Sequence, residues 1–548
     1  MKKILIIIGL SVAACVAMSA GNTRCDASRN IKIFNNIFRE LQAGYVDTFD
    51  IDAVTRTAID AMLAQIDPYT EYFSPEELDE LTTLSEGSYS GIGSYIGQQN
   101  GRVYFSEPVW GSPSRLTGIR HGDVILSIDG VAVDSGTPTD VVSRKLRGPN
   151  GTMVSIKVRR PWVEDSILTF DIRREDIKVN PVPYYGVDSA GVGYIKLTTF
   201  NNNSAEAVGH ALTEMKANPA LRGVILDLRD NGGGLLESAV EIVGHFVPKG
   251  TEVVRTRGAD PTNQKIYRTT RKPIDTEIPV VVMINENSAS SSEVVAGALQ
   301  DLDRAVIVGM RSYGKGLVQN ARPIVGGGML KVTVARYYIP SGRLIQAYTY
   351  SHRRDDNSPM RIPDSLTRVW HTAAGREVRD GGGITPEVLV SDTTMNSLLY
   401  SLHTDNWIND YANHFRAHHD SISLQWQVTD SLFNDFKAFI DPERLKYDMR
   451  VEYGIKFLRQ AAEVEGYMND SVSAQLDLLA GILRHNLDHD LEFNRAHITK
   501  WLDIYINQRY FDDSRVEEVS LRYDLEADTA RAVLLDTPRY ARLLSPAK

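Results

Sequence analysis

The sequence contains little cysteine, with Cys15 and Cys25 as the two residues of this type among 548. So small a number excludes a fold held together by a framework of internal disulfides. The chain also has no excess of positive charge, because 60 lysines and arginines face 70 aspartates and glutamates. A net charge of −10 argues against a broad nucleic-acid-binding surface, which needs clustered basic side chains to neutralise phosphates.

Long apolar runs are absent as well, since no stretch of the sequence reaches the ~18 apolar residues that a membrane-spanning helix requires. Residues 1–20 have the pattern of a secretory signal, with a basic start, the apolar run 4–10 and small residues after it. Cleavage near Ser19 or Ala20 would release a soluble protein, whereas cleavage before Cys15 would leave a lipid anchor on that cysteine. We favour the soluble product and predict an exported protein of the periplasm or cell envelope.

Several motifs of other enzyme classes are missing from the sequence. There is no G-x-S-x-G elbow and no H-E-x-x-H helix. The segment 309–315 matches the first part of a P-loop, but Gly316 stands where that loop needs a serine or threonine for magnesium. His485 and His489 share a predicted helix face without a neighbouring acid, and we interpret them as surface residues. The sequence therefore predicts neither a metal site nor a cofactor.

The pattern of apolar residues divides the chain into four regions. Residues 28–85 have helical spacing, and 86–160 contain short apolar strands separated by glycines, which indicates a small β-rich module. Residues 175–390 alternate strands with helices and predict an α/β core, in which the polar, arginine-rich stretch 350–383 is expected to be a long surface loop. Residues 392–548 return to helical spacing.

A serine cluster at 288–292 lies between a predicted buried strand and a helix of the core. One interpretation is an ordinary helix cap, because serine hydroxyls accept free backbone N–H groups at helix starts. The other is a nucleophile at a strand-to-helix turn, where such N–H groups and the helix dipole favour developing negative charge. Lys315 follows the next strand between two glycines and can be read either as a surface turn or as a base placed by flexible backbone.

A series of short segments, each weak alone, occurs in one order along residues 30–390. These segments are Asp67-Pro68, Gly91-Ile92-Gly93, Gly111-Ser112-Pro113, residues 118–125, Leu146-Arg147-Gly148-Pro149, residues 227–234, the segments around Ser290 and Lys315, residues 338–343 and residues 382–386. As an ordered set they resemble the C-terminal processing, or tail-specific, peptidases, which form a Ser–Lys family.

The resemblance implies a catalytic set. In the family the nucleophile lies three residues before a glutamate and twenty-five before the lysine, and both spacings select Ser290, with Glu293 and Lys315. The family's third polar residue, which orients the lysine, falls on Gln319. The chemistry agrees, because serine needs a base to take its proton and lysine can act as one only when neutral. A nearly dry pocket disfavours the ammonium form.

The resemblance also implies an oxyanion hole and a fold. Its donors would be the N–H groups of Ser291 and Gly233. Gly232 stands where the family often has another residue, so the register within the glycine run is open by one position. The implied fold is an α/β core of the crotonase/ClpP-like ββα type with an inserted PDZ domain and helical N- and C-terminal regions.

The module at 86–160 resembles a PDZ domain, in which Ser90, Gly91, Ile92 and Gly93 match the carboxylate-binding loop. PDZ domains bind the C-terminus of another chain by adding it to a sheet edge, with backbone N–H groups holding its carboxylate. The implied division of labour is that this domain captures a protein or peptide tail and the core cuts it.

Two other functions stay open from the sequence. One is an inactive scaffold that uses the PDZ domain only to bind tails, which the intact Ser290, Lys315 and Gln319 disfavour. The other is acyl chemistry on a small thioester, which an exported, PDZ-bearing chain disfavours. The resemblance does not extend well over residues 392–548, whose helices could pack on the core, form a homo-oligomer or dock an adaptor.

Overall fold

The computed structural model describes residues 28–78, 86–164, 166–260, 262, 264–354, 358–390, 395–447, 450–484 and 486–546. The predicted signal at 1–20, the alternative anchor at Cys15, Cys25 and His485 lie outside these residues. In the described part of the chain, no helix is both long and apolar enough to cross a bilayer.

Residues up to Tyr72 form one unit and those from Phe73 onward a second. The first unit holds helices α1 (28–44) and α2 (Ile51–Ala64) and begins strand β1 (Glu71–Phe73). The carboxylate of Asp50 caps α2 by accepting the N–H groups of residues 52 and 53. An N-cap carboxylate accepts the free N–H groups two and three positions after it, which fixes the start of the helix.

The β-rich module begins after residue 86. Its elements are β2 (Ser88–Gly91), β3 (Ser94–Gln99), β4 (Arg102–Pro108), α3 (Pro113–Leu116), β5 (Val124–Ile128), β6 (Val131–Ala132), α4 (Thr139–Leu146), β7 (Met153–Arg159), β8 (Ile167–Arg173) and β9 (Glu175–Lys178). The main sheet has the order β3-β4-β5-β7-β8, so β3 is an edge strand, and the sheet continues past residue 160 because β8 pairs with all of β7. Alternate residues such as Val103, Phe105 and Ile156 are fully buried inside it.

The α/β core contains a mostly parallel sheet. Its strands and helices are β10 (Tyr184–Val187), β11 (Val192–Lys196), α5 (Ser204–Lys216), β12 (Gly223–Asp227), α6 (Leu236–Gly244), β15 (Val280–Ile284), α7 (Ser291–Asp301), β16 (Val306–Gly309) and β23 (Val388–Leu389). The order is β10-β11-β12-β15-β16-β23, and every neighbouring pair is parallel except β10 with β11. The central strands are apolar on both faces, as expected for parallel strands covered on both sides.

A second sheet and two hairpins are formed by other segments of residues 252–379. They consist of β13 (Glu252–Gly258), β14 (Gln264–Arg268), β17 (Leu317–Pro323), β18 (Met329–Tyr338), β19 (Tyr348–Arg353), β20 (Pro359–Arg361), β21 (Val369–His371) and β22 (Glu377–Arg379). Strand β18 pairs with both β13 and β17. The expectation of a long surface loop at 350–383 was wrong, since β19 pairs with β20 and β21 with β22.

The C-terminal region is helical. Its helices are α8 (Ser397–Thr404), α9 (Trp407–His418), α10 (Asp430–Phe439), α11 (Arg450–Val464), α12 (Asp470–Ile482), α13 (Leu487–Phe493), α14 (Arg495–Tyr510), α15 (Asp513–Ser520), α16 (Leu525–Leu535) and α17 (Thr537–Leu543). Helices α8, α9, α10 and α14 share an apolar core of their own.

The two faces of the parallel sheet are covered by distant parts of the chain. Val280 and Val282 of β15 pack with helices α5, α6 and α7, whereas Val281 and Met283 pack with Ala530 of α16 and its neighbours. Successive side chains of a strand point to opposite faces. Helices α16 and α17 therefore cover the second face of the parallel sheet.

Candidate active site

Ser290 lies at the turn between β15 and α7, immediately before the first residue of the helix. Its backbone has φ 57° and ψ −114°, a region that residues with a side chain rarely occupy. Such strain persists only where surrounding contacts fix it, and it concentrates at functional sites. The sequence prediction of a serine at a strand-to-helix turn is confirmed in its position.

A buried carboxylate ties this serine to the lysine segment. Oε2 of Glu293 accepts the backbone N–H of Ser290 at 2.9 Å and that of Lys315 at 2.8 Å. Its Oε1 accepts the N–H of Gly314 at 2.7 Å and the hydroxyl of Ser312 at 2.5 Å. Glu293 is 0% exposed, so these bonds are shielded from competing water. The spacing rule used Glu293 only as a marker, and its structural role was missed.

The environment of Glu293 has two opposing effects on its pKa. Burial penalises the charged carboxylate, while the hydrogen bonds from Ser312 and the backbone stabilise it. Burial prevails, and the pKa of Glu293 is raised from 4.5 to about 7. Near neutral pH the carboxylate is therefore close to the point at which it gains a proton.

Tyr337 of β18 joins the same two segments from their carbonyl side. Its hydroxyl donates toward the carbonyl oxygen of Ser290 at 3.1 Å and also contacts that of Lys315. The side chain is 1% exposed, and burial raises its pKa well above the ordinary value, so the hydroxyl keeps its proton. Sequence reasoning did not single out Tyr337, because it lies 47 residues from the serine.

Close contacts with neighbouring backbone explain why the residues on both sides of Lys315 are glycines. A Cβ on Gly314, whose φ is +88°, would lie 2.3 Å from the Cβ of Ala347, and one on Gly316 would lie 3.0 Å from the backbone of Gln346. The chain therefore passes too close to residues 346–347 for larger side chains. Lys315 itself is half-buried between them.

Gln319 lies on β17, opposite Thr333 of β18. Its Nε2 donates to the hydroxyl of Thr333 at 3.2 Å. The side chain is half-buried and belongs to the same strand that follows Lys315. Its role in orienting the lysine stays a prediction.

The glycine run, residues 232–234, lies against Ser290. Gly233 has φ +99°, and a Cβ there would lie 2.9 Å from the Cβ of Ser290 and 2.9 Å from the nitrogen of Ser291. The N–H of Ser291 donates to no acceptor among the described residues. The N–H of Gly233, in contrast, donates to Oδ1 of Asn231 at 2.9 Å. The two expected oxyanion donors are thus adjacent, but one of them is engaged in this conformation.

Asn231 is a residue that sequence reasoning missed. It is fully buried, and its Nδ2 donates to the carbonyl of Leu197 at 2.8 Å. Its own carbonyl accepts the hydroxyl of Ser292 at 2.7 Å and the N–H of Ala289 at 3.1 Å. Asn231 therefore holds the glycine run in place, because it is hydrogen-bonded both to the end of β11 and to the residues on either side of Ser290 and Ser291.

The neighbouring serines have structural roles. The hydroxyl of Ser288 donates to the carbonyl of Leu228 at 2.8 Å and accepts the N–H of Asn285, and that of Ser292 is bonded to Asn231. Both serines are fully buried, whereas Ser290 is half-buried. Neither flanking serine caps the helix. Ser290 is itself the N-cap residue of α7, and Glu293 in the first turn accepts its N–H, so the cap interpretation and the nucleophile interpretation fall on the same residue.

The predicted tail-binding loop leads into the edge strand β3. The N–H groups of Ile92 and Gly93 donate to no acceptor in the part of the chain that the structure describes. The carbonyl of Gly93 accepts the hydroxyls of Ser112 and Ser114 at 2.7 and 2.8 Å, which holds the loop in place. The Ser90 hydroxyl contacts the carboxylate of Asp176.

Within the described ranges, no group of three or more His, Cys, Asp or Glu side chains is placed to hold a metal ion. The titratable side chains at the serine turn, Glu293 and Tyr337, instead form hydrogen bonds with backbone groups. That arrangement suits nucleophilic acyl transfer, in which a serine, a base and N–H donors act on one carbonyl.

A strained serine linked through buried hydrogen bonds to a lysine segment is compatible with a serine peptidase. Comparison with known families agrees with this class. Residues 191–351 match the model of peptidase family S41, residues 104–160 match a PDZ domain, and residues 398–534 match the C-terminal helical domain of probable PDZ-proteases.

Individual relatives extend the match. The carboxy-terminal-processing protease of Bartonella bacilliformis is 33% identical over 352 residues, covering 63% of this chain and 80% of that protein. A probable CtpA-like serine protease of Staphylococcus aureus is 32% identical, covering 60% of this chain and 64% of that protein. A solved photosystem II D1 C-terminal processing protease is 30% identical, with a TM-score of 0.36, and the match covers 65% of this chain and 87% of that one.

The chain therefore belongs to the carboxy-terminal-processing proteases of peptidase family S41. It is a serine peptidase with a PDZ domain and a C-terminal helical domain. The resemblance drawn from the ordered segments is confirmed at the level of the family.

Proposed function

We propose that this chain is an exported endopeptidase that captures protein C-terminal tails with its PDZ domain and cleaves them through an acyl-enzyme on Ser290. Lys315 acts as the general base. The observation that carries the proposal is the pair of bonds from Glu293 to the N–H groups of Ser290 and Lys315, which holds nucleophile and base segments together.

In the first half of the reaction, Oγ of Ser290 attacks the scissile carbonyl carbon while the neutral amine of Lys315 takes the hydroxyl proton. The N–H groups of Ser291 and Gly233 stabilise the oxyanion, the latter after its bond to Asn231 is released. The C–N bond then breaks, and the proton passes from Lys315 to the departing amine, which leaves an ester on Ser290.

In the second half, water attacks the ester and gives a proton to Lys315. The Ser290–acyl bond breaks, the proton returns to the serine oxygen, and the new C-terminal carboxylate leaves. Gln319 orients Lys315 during both transfers. No cofactor takes part in any step.

The N–H groups of Ile92 and Gly93, which donate to no described residue, lie beside the edge strand β3 and support tail capture. A tail can add to that edge as a strand and place its carboxylate on those N–H groups. The parallel sheet with helices on its faces supports a crotonase/ClpP-like core. The signal pattern of residues 1–20 supports export to the periplasm or cell envelope.

Ser290→Ala tests the proposal. This variant should lose cleavage of an unstructured test protein and labelling by a fluorophosphonate probe, while its circular dichroism stays unchanged. Ser288→Ala and Ser292→Ala are matched controls that keep the nucleophile but each lose a buried hydrogen bond of about 1 kcal/mol. They should cleave and melt at lower temperature. Wild-type cleavage by Ser290→Ala would refute the assignment.

A further inference from the structure

A cavity of about 230 Å³ lies where the PDZ domain meets the C-terminal helices. One wall comes from the turn after α3 and the residues after β7, and the other from α9 and α14. The two walls touch, since Arg115 donates to the carbonyl of Arg509 at 3.0 Å and a Cβ on Gly122 would lie 2.4 Å from the amide of Asn413. The cavity is separate from the serine turn and from the loop at Ile92 in sequence and in its lining residues.

Arginine dominates the lining of this cavity. Arg115, Arg120 and Arg160 come from the PDZ side, and Arg416 and Arg509 from the helices. Five guanidinium groups around so small a volume repel each other unless anions separate them.

The carboxylates nearby compensate only part of this charge. Asp123 pairs with Arg160 at 2.8 Å, and the fully exposed Asp420 lies 3.7 Å from Arg416. Glu107 and Asp513 lie near Arg115, but burial raises the pKa of both acids and favours their neutral forms.

Arg115 and Arg509 donate hydrogen bonds to neutral groups. Arg509 donates to the side-chain oxygens of Asn413 at 3.0 Å and Gln508 at 3.1 Å. Arg120 forms no side-chain hydrogen bond or ion pair with any described residue. Burial, followed by the neighbouring arginines, lowers the pKa of Arg115 and Arg120. Arg115 and Arg120 thus line the cavity without an ion pair to a carboxylate of the described residues.

We propose that this arginine cavity is a binding site for a small phosphate-bearing anion. The planar guanidinium fork matches phosphate oxygens bidentately, and arginine is favoured over lysine for this contact. Because both walls supply arginines, a bound phosphate joins the PDZ domain to helix α9. Such a ligand would stabilise one placement of the PDZ domain on the helical region.

Calorimetric titration of the full chain with inorganic phosphate and with pyrophosphate tests this proposal, at ionic strength matched with sodium chloride. Both anions should bind and raise the melting temperature. Arg120→Gln and Arg416→Gln should each weaken binding about tenfold or more, since each removes a guanidinium from the cavity lining. Arg120 forms no side-chain bond with a described residue, so its variant should keep the fold. Arg416 donates to the carbonyl of His419 at 2.9 Å and lies over the ring of Tyr510, so circular dichroism of Arg416→Gln without ligand checks its fold. Arg102→Gln, an exposed arginine of the same PDZ domain, is the matched control and should bind as the wild type does.

Equal binding by the wild type and both cavity variants would overturn the site, as would stabilisation by chloride alone at the same ionic strength. A second arm uses vesicles containing anionic phospholipid. Sedimentation of the protein with these vesicles, together with no binding of free phosphate or pyrophosphate, would overturn the small-solute ligand in favour of a lipid headgroup.

Discussion

The carboxylate of Glu293 accepts the backbone N–H of Lys315 at 2.8 Å, although Glu293 lies in helix α7 and Lys315 in the segment between β16 and β17. The same carboxylate oxygen accepts the N–H of Ser290. The separation of nucleophile and base is therefore set by one buried side chain that takes no proton in the proposed reaction.

Glu293→Gln should lower kcat/KM by about 100-fold. The amide places N–H donors against backbone donors, and each lost bond to a charged acceptor is worth about 1.5–3 kcal/mol. Binding of a tail peptide to the PDZ domain should not change. Steady-state kinetics and peptide titration measure the two effects, and a variant with near-normal kcat/KM would contradict the positioning role.

The raised pKa of Glu293 also predicts a pH dependence of stability. Its folded pKa of about 7 exceeds the ordinary value of 4.5, so the folded state binds more protons between these values. The contribution of this group to stability is therefore full below about pH 4.5 and is lost as pH rises through about 7, by roughly 3 kcal/mol at 1.36 kcal/mol per unit. Denaturant unfolding from pH 5 to 8 should show that the free energy of unfolding of the wild type falls relative to that of Glu293→Gln as the pH rises.

Lys315→Arg should abolish cleavage over the whole pH range, because guanidinium stays protonated and cannot accept the serine proton. Wild-type kcat/KM should rise with pH as the lysine becomes neutral and then level off. Gln319→Ala should lower the rate less than any change at Lys315, since it orients the base. A Lys315→Arg enzyme with near-normal activity would rule out the dyad.

Tyr337→Phe should reduce kcat about tenfold with little change in KM. The change removes the hydroxyl between the carbonyls of Ser290 and Lys315 but keeps the ring in its buried position. Tyr338→Phe on the same strand is a matched control, because neighbouring side chains of a strand point to opposite faces. If both variants lost activity equally, the effect would not come from these two carbonyls.

Gly93→Ala should remove the preference for a free C-terminus. Gly93 has φ +74°, and a Cβ there would lie 2.4 Å from the Cβ of Ser112, so the loop and its N–H groups must shift. Gly136→Ala, at φ +90° with open space around it, controls for backbone strain alone. The assay compares cleavage of a peptide ending in a carboxylate with its amide. Equal cleavage of the two by the wild type would contradict tail recognition.

Arg229→Ala should destabilise the core by about 3 kcal/mol, because Asp524 and Glu526 lose the guanidinium that pairs with them and the buried Asp227 is left with Lys196 at 3.2 Å. Arg229 pairs with Asp227 at 2.7 Å, and with Asp524 at 2.6 Å and Glu526 at 2.5 Å at the start of α16. Arg56→Ala, which breaks an exposed pair, should change stability by at most about 1 kcal/mol. Equal losses for the two variants in denaturant unfolding would contradict a special role for this network.

The sequence by itself determined the family and the positions of Ser290 and Lys315. The reason is that the family's motifs are short and local: a strand, a turn and a helix start lie within a few residues of the serine, and fixed spacings lead to the lysine. The sequence also indicated close backbone contacts at glycines 314, 316 and 233, because glycine is the residue that fits where two backbone segments approach each other.

The tertiary structure alone decided what holds these residues in place. Tyr337 and Asn231 act through contacts between segments far apart in the chain, and no periodicity or spacing encodes such contacts. The hairpins within 350–383 depend on cross-strand pairing, which polar composition concealed. The covering of the parallel sheet by α16 and α17 was likewise invisible, because a helical pattern predicts an apolar face but not the surface that the face will meet.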